Sequence, residues 1–329
     1  MSKRFENKTL LYILGVLLLI LLITFLVKIP REKSTLETTL VRFDTAQVAR
    51  IIIKPKSSEG EEFQFIKENG VWKVTQGKIS SRPRPSAVSN ILSDLLDIRP
   101  SGLVAVDRSK WSEYDVTDSL GIRVRAENKK GKALADVVIG KFSYKPVQNP
   151  YGGYGGGSID GVSYVRLYNE NKVYAVDGFL TFSFTGGFDD YRDKTLVHAT
   201  RSDITKISFT FPADTGFVLE KKDNKWMAAG IPADSTRTSD YLSDICYLDG
   251  EKFADDFKPA SSPVYKADIE GNNLLSITIK CYRQEDGKLI INSSLNPDSY
   301  FETNPDGVFG RIFKPLGYFT PSGSQQQAK

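Results

Sequence analysis

The stretch Ser89-Asn90-Ile91-Leu92-Ser93-Asp94-Leu95 recurs further along the chain as Ser239-Asp240-Tyr241-Leu242-Ser243-Asp244-Ile245. Around the first copy, apolar residues fall at the spacing of one helix face: Val88, Ile91, Leu92, Leu95 and Leu96. Pro85 and Pro100 flank this run where a helix tolerates proline, near its start and beyond its end. The pattern predicts one amphipathic helix in each half of the chain.

The elements that precede the two helices also repeat. A β-branched strand opens each half, at Val48–Lys54 and at Ile204–Phe211. A hairpin then leads into Trp72 in the first half and into Trp226 in the second. We therefore expect the two indoles to occupy equivalent positions. Each should pack between its sheet and its own helix, Trp72 against Leu92 and Trp226 against Leu242.

Later hairpins can be matched between the halves as well. The hairpin Leu120–Ile139 resembles Leu274–Ile291, and the hairpin Tyr164–Tyr174 resembles Tyr300–Phe309. Short strands resemble one another by chance, but the same elements in the same order indicate a duplication. The sequence therefore predicts an α+β fold in which a mostly antiparallel sheet-plus-helix unit occurs twice.

An uncharged, proline-free run precedes the first unit at Leu10–Val27. As a helix it would be about 27 Å long, close to the hydrocarbon thickness of a bilayer. A cleaved signal peptide is the alternative, but its apolar core is shorter and ends in small residues, which are missing here. Basic residues stand on both sides of the run, so the positive-inside rule discriminates weakly. A short basic head usually stays in the cytoplasm, which places the two units outside the membrane.

These observations give an expected layout of the whole chain. In order, it consists of a cytoplasmic head at residues 1–9, a transmembrane helix at 10–27, a tether at 28–42, the first α+β repeat at 43–196, the second at 197–320 and a disordered tail at 321–329.

Four motifs carry a resemblance to a known family: Tyr114-Asp115, Val137-Val138-Ile139-Gly140, Tyr164-Val165-Arg166 and Tyr191-Arg192-Asp193-Lys194-Thr195-Leu196. Together with the hairpin and its tryptophan, they resemble the bacterial domain-of-unknown-function 4340 family over most of the chain after the apolar run. The resemblance implies a single-pass protein of the bacterial inner membrane with a periplasmic domain. It also implies an accessory role beside gliding-motility-type ABC transporter permease and auxiliary subunits. It carries over no catalytic residue.

The inventory of reactive side chains argues against common enzyme chemistries. His198 is the single histidine, and neither a nucleophile elbow nor a Ser-x-x-Lys pair occurs. The sequence shows no metal-ligand spacing and no phosphate loop, so we expect no metal and no cofactor, and we identify no small-molecule substrate. A net charge of +4 without a basic block gives no reason to expect nucleic acid. Cys246 and Cys281 could form one bridge or remain two buried thiols.

Two further features are candidate sites. Arg192 and Asp193 stand where the first half meets the second, and we expect a structural role in which Arg192 pairs with Asp189, Asp190 or Asp193. The glycine-rich loop at 151–157 carries Tyr151 and Tyr154, whose rings on an adaptable backbone could contact a partner. A plain hairpin insertion is the alternative for this loop.

We expect a non-enzymatic envelope protein whose external domain scaffolds or assists a membrane complex, an ABC-type transporter above all. A second hypothesis is a cell-envelope module that binds glycan or peptide through surface aromatic residues such as Tyr151 and Tyr154. A hydrolase with an unrecognised site is a third, and the thin set of acid and base groups argues against it.

Overall fold

The computed structural model describes residues 39–56, 59–146 and 159–320, together with Leu14. The predicted head, tether and tail, and the apolar run apart from Leu14, lie outside these residues. Within the described ranges the chain forms two large sheets, one after the other.

The first sheet is nine-stranded and antiparallel throughout, in the order β4-β3-β2-β1-β6-β7-β8-β9-β5. Its strands are β1 (Val48–Lys54), β2 (Phe63–Glu68), β3 (Val71–Gln76), β4 (Ile79–Ser81), β5 (Pro100–Ala105), β6 (Ile122–Asn128), β7 (Ala133–Pro146), β8 (Ile159–Leu167) and β9 (Val173–Asp177). We call this sheet and its helices the first unit.

The second sheet also has nine strands, in the order β14-β13-β12-β11-β17-β18-β19-β20-β16. Its strands are β11 (Ile204–Thr210), β12 (Gly216–Lys222), β13 (Lys225–Ala228), β14 (Ile231–Pro232), β16 (Lys252–Phe253), β17 (Tyr265–Gly271), β18 (Leu274–Arg283), β19 (Leu289–Ser293) and β20 (Asn296–Thr303). A small two-stranded sheet joins β10 (Thr195–His198) to β15 (Tyr247–Asp249). Position by position the two large sheets share one strand order, and we call the second sheet with its helices the second unit.

Five short α-helices accompany these sheets in the described residues: α1 (Ala87–Leu96), α2 (Leu180–Ser183), α3 (Ser235–Ile245), α4 (Val308–Ile312) and α5 (Leu316–Phe319). The two longest, α1 and α3, contain the repeated stretch. Both bury the predicted face, because Leu92 and Leu242 lie in the cores of their units. An aspartate cap, Asp234, accepts a hydrogen bond from Arg237 N at the start of α3.

The predicted fold class is wrong. The structure is mostly antiparallel sheet, with two nine-stranded sheets, where the sequence predicted an α+β fold of two sheet-plus-helix units headed by a transmembrane helix. No helix in the described part of the chain is both long and apolar enough to cross a bilayer. Short or atypical strands explain the error in class, because β4 has only three residues and β5 begins with Pro100 and contains Gly102, residue types that disfavour a strand prediction.

The matching of the later hairpins is also corrected. Strand order makes β17 the counterpart of β6, and β20 the counterpart of β9. The segment Tyr300–Phe309 is therefore the end of β20, a turn and the start of a helix, and it forms no hairpin. The sequence comparison matched each later hairpin of the first unit to a segment one strand too far along in the second unit, because hairpins of similar length have similar sequence patterns.

Candidate functional site

Arg192 lies at the junction of the two units and is 3% exposed. Within the first unit, Arg192 donates Nε–H to Ser81 Oγ at 2.9 Å and Nη1–H to Asp189 Oδ1 at 2.9 Å. From the second unit, Asp255 accepts from both terminal nitrogens of the guanidinium. The guanidinium carbon also lies 3.4 Å from the ring centroid of Phe253. Arg192 is thus a buried link between the units.

The backbone beside Arg192 reinforces the same junction. Asp193 N donates to Arg82 O at 2.8 Å, and Pro83 forms an isolated antiparallel bridge with Arg192. Asp193 is 5% exposed, and its backbone carbonyl accepts from Asn296 Nδ2 at 2.6 Å. The expected structural role of Arg192 and Asp193 stays a prediction. Sequence reasoning named Asp189 among the partners of Arg192 but missed Asp255, because nothing local marks a partner so distant in sequence.

Two further family motifs, Tyr114-Asp115 and Tyr164-Val165-Arg166, take part in packing contacts. The rings of Tyr114 and Tyr164 lie 4.7 Å apart between centroids. Arg166 is 1% exposed, donates Nε–H to Val116 O at 3.1 Å and stacks on Trp111 at 3.7 Å from the ring centroid. Burial lowers the pKa of Arg166 from its ordinary value. These contacts hold the segment around Trp111 on the sheet.

Three phenylalanines of the first unit form a cluster on the surface. The ring of Phe142 lies 5.2 Å from that of Phe179 and 4.9 Å from that of Phe182, between centroids. Phe179 is 51% exposed and Phe182 is 57% exposed. Tyr144, two residues along β7 and 68% exposed, extends the same face. We call Phe142, Tyr144, Phe179 and Phe182 the aromatic cluster.

Buried polar contacts fix α2, which carries part of the aromatic cluster. Thr181 is 4% exposed, donates its hydroxyl to Gly140 O at 3.2 Å and donates its backbone N–H to Ser163 Oγ at 3.2 Å. Gly178, with φ of 104°, lets the chain turn tightly from β9 into this helix. The phenylalanines are therefore presented from a fixed support rather than from a loose loop.

The cluster lies near the base of the segment that carries Tyr151 and Tyr154. Phe142 pairs with Ser163, and Tyr144 with Gly161, on the two strands that lead to this segment. Tyr151 and Tyr154 themselves lie outside the described residues. Their predicted role in partner contact stays a prediction, and the aromatic cluster was not recognised from the sequence.

Each unit carries a groove beside its tryptophan. The Trp72 groove has a volume of about 550 Å³, and Leu92 and Lys67 also line it. The Trp226 groove has a volume of about 750 Å³, and its lining includes Leu242 and Lys221. Both indoles are half-buried, so each forms a wall of an open cavity.

The reactive side chains named from the sequence are scattered. His198 is exposed and packs edge-on against Tyr247, with ring centroids 5.0 Å apart. Cys246 and Cys281 are free and buried, and burial raises the pKa of the Cys281 thiol to about 12. No group of three or more potential metal ligands occurs in the described ranges.

Comparisons with known proteins identify one family. A family model described as domain of unknown function (DUF4340) matches residues 72–268. The match begins at Trp72 and ends in β17, so it spans parts of both units. This confirms the resemblance found in the sequence. No curated protein and no solved structure gives a match.

Proposed function

Since the chain belongs to the DUF4340 family, whose description assigns no function, we propose a function from its surface. The protein is a non-enzymatic accessory protein of the bacterial envelope. Its two units act outside the inner membrane by contact with the permease or auxiliary subunits of an ABC-type transporter. The apolar run at residues 10–27 supports membrane association.

The aromatic cluster is the observation that carries this proposal. Three phenylalanine rings in mutual contact, two of them more than half exposed, leave an apolar surface in water. Such surfaces typically mark sites of protein–protein contact, and aromatic residues are enriched at the centres of interfaces. The buried hydrogen bond of Thr181 fixes α2 on the sheet. A partner that binds the cluster therefore removes little conformational entropy from this helix.

Membrane association makes a small contact surface sufficient. Two proteins confined to one membrane have a high effective concentration, so a weak contact between their external domains is occupied. The partner surface that fits the cluster is a shallow apolar patch on an external segment of a transporter subunit. In this proposal Tyr151 and Tyr154, in the segment between β7 and β8, contribute to the same contact.

The proposal is tested with the double variant Phe179→Ser/Phe182→Ser in the full-length protein. Both side chains are more than half exposed, so folding stability should change by less than about 1 kcal/mol. Co-purification with the transporter permease and auxiliary subunits should be lost. Deletion of residues 151–157 should weaken co-purification while leaving thermal stability nearly unchanged, since loop length changes closure entropy only slightly.

Leu275→Ser supplies the matched control, because Leu275 is 83% exposed on the second unit. This variant should retain every transporter subunit. If the phenylalanine variant folds and retains them too, the aromatic cluster is not the contact surface and the proposal fails.

A further inference from the structure

The two tryptophan grooves are built on the same register of the two sheets. Trp72 of β3 pairs with Lys67 of β2, and Trp226 of β13 pairs with Lys221 of β12. Directly paired residues of antiparallel strands point to the same face, so each indole has a lysine beside it. The Lys67 ammonium lies 5.8 Å from the Trp72 ring centroid. The duplication has thus produced two similar cavities.

Both grooves are lined by cations and by no carboxylate. The charged residues that line the Trp72 groove are Lys67, Arg82 and Arg84. Those that line the Trp226 groove on the face of the indole are Arg201 and Lys221. Lys225 also borders this groove, but it pairs directly with Lys222 and so belongs to the other sheet face. Arg82 is also paired with Asp193 at 3.8 Å, which leaves Lys67 and Arg84 as the cations of the Trp72 groove without an ion pair in the described residues. The positive charges along each cavity favour an anionic occupant, because charges of one sign along a cleft concentrate the opposite ion.

The cations of the Trp226 groove are available to a ligand. Lys221 forms no ion pair with any residue in the described ranges. Arg201 is held in place by neutral hydroxyls, since it donates to Ser239 Oγ at 2.7 Å and to Ser243 Oγ at 3.1 Å. Its positive charge therefore remains uncompensated at the edge of the cavity.

The rest of the lining is an indole with polar groups around it. In the Trp226 groove, neutral side chains that can exchange hydrogen bonds belong to Thr200, Ser202, Asn224, Ser235 and Ser239. Leu242 and Pro232 complete the apolar wall beside the indole. An apolar plate surrounded by hydroxyls, an amide and cations matches a sugar ring, which has an apolar face, hydroxyl edges and, in acidic sugars, a carboxylate.

We propose that the Trp72 and Trp226 grooves are duplicated binding sites for an acidic glycan whose sugar rings carry carboxylates. A ring stacks on each indole, and its carboxylate lies between the lysine and the arginine at the edge. A polymer of repeating acidic sugars presents the same chemistry at regular intervals, so two similar sites can bind one chain with added avidity. An acidic peptide would satisfy the cations, but it has no reason to match the indole at both sites.

The test uses the full-length protein and an oligogalacturonate of eight sugars, titrated at low ionic strength with tryptophan fluorescence as the signal. Oligogalacturonate should bind and change the emission. The variant Lys67→Gln/Lys221→Gln should weaken this binding at least fivefold. Addition of salt should weaken it as well, because exposed charges are screened.

The matched control is Lys73→Gln/Lys222→Gln. Lys73 and Lys222 are neighbours of Trp72 and Lys221 along their strands, point to the opposite sheet face and pair with Glu68 and Glu220 respectively. This control should bind as the unaltered protein does. Trp72→Phe/Trp226→Phe, with folding checked by circular dichroism, should remove the fluorescence change, since the remaining Trp111 is 9% exposed and stacked by Arg166.

Four results would overturn the proposal. They are no binding of oligogalacturonate, equal loss of binding in the control lysine variant, unchanged binding in Lys67→Gln/Lys221→Gln, and equally tight binding of an octaglutamate peptide. The last result would make the grooves acidic-peptide sites. The transporter contact proposed above uses a different surface and does not depend on any of these outcomes.

Discussion

The helices that follow the last strand of each large sheet, α2 and α4, share a framework but present different surfaces. Each is followed by a buried phenylalanine, Phe184 at 1% exposure and Phe313 at 5%. With these two aligned, Phe182 of the first unit corresponds to Arg311 of the second. Both positions are exposed, but one carries an apolar ring and the other a charge that donates a hydrogen bond to Asp244 O at 2.8 Å.

A buried tyrosine hydroxyl holds the end of each of these helices. Tyr191 Oη donates to Ser183 O at 3.1 Å, and Tyr241 Oη donates to Ile312 O at 2.9 Å. The two helices are thus fixed in similar ways. At the exposed aligned position the two helices differ in chemistry, and our proposal assigns the apolar ring of Phe182 to partner contact.

The largest expected effect separates the buried ring from the exposed one. Phe184→Ala and Phe313→Ala should each lower the free energy of unfolding by about 3–5 kcal/mol, because each leaves a cavity in a core. Phe182→Ala should change it by less than about 0.5 kcal/mol. Denaturant unfolding of the three variants measures the difference. A large loss for Phe182→Ala would show that this ring is part of the folded core.

Arg192→Ala tests whether the two units unfold together. It leaves Asp255 without its guanidinium partner and removes the stacking on Phe253, so we expect a loss of about 3 kcal/mol. Arg99→Ala is the control, because the pair of Arg99 with Asp97 is exposed and should contribute less than about 0.5 kcal/mol. Two separate unfolding transitions in unaltered protein would contradict the role of Arg192 as a link.

Alkaline pH should lower the free energy of unfolding, because it ionises the Tyr191 hydroxyl that holds the end of α2. Burial raises the pKa of Tyr191 to about 12, so the neutral hydroxyl is favoured in the folded protein. Its contribution is complete below the unfolded pKa of about 10 and is lost as the pH rises toward 12. Between pH 8 and pH 11 the loss should be about 1.4 kcal/mol. Unfolding midpoints at pH 8, 10 and 11 measure it.

At pH 8, Tyr191→Phe should have a free energy of unfolding about 1 kcal/mol lower than the unaltered protein, because the hydrogen bond to Ser183 O is missing. Above pH 10 its free energy of unfolding should fall less with pH, because residue 191 no longer ionises. Burial also raises the pKa of Tyr241, so part of the alkaline loss should persist in this variant. If the free energy of unfolding of this variant depends on pH as that of the unaltered protein does, ionisation of Tyr191 is not the cause of the alkaline loss.

The sequence predicted local features well. It placed β1 at Val48–Lys54, located both amphipathic helices and put Trp72 and Trp226 in matching strands. Each of these depends on a pattern within a few residues, such as helical spacing or a turn between two apolar runs. The repeated stretch added a comparison that a single unit could not give.

What it missed depends on long-range arrangement. Asp255 joins Arg192 across 63 positions, and no local pattern marks such a partner. Phe179 and Phe182 look like core residues in a sequence, since phenylalanine is usually buried. Their exposure follows from the orientation of α2 on the sheet, which is set by Thr181 and Gly178. The aromatic cluster could not be separated from the core without the structure.

Exchanging the two aligned side chains should also have only a small effect on folding. Phe182→Arg makes α2 resemble α4, and Arg311→Phe does the reverse. Since both positions are exposed, each variant should keep its free energy of unfolding within about 1 kcal/mol of the original value. Thermal unfolding measures this. A much larger loss in either variant would mean that the two helices are not equivalent.

The central claim is that position 182 touches a transporter subunit and position 311 does not. A photoreactive phenylalanine analogue placed at each position in turn, in cells that contain the transporter, tests this most directly. Irradiation should link position 182 to the permease or an auxiliary subunit, identified by mass spectrometry, and should give no such product from position 311. Equal crosslinking from both positions, or none from position 182, would contradict the claim.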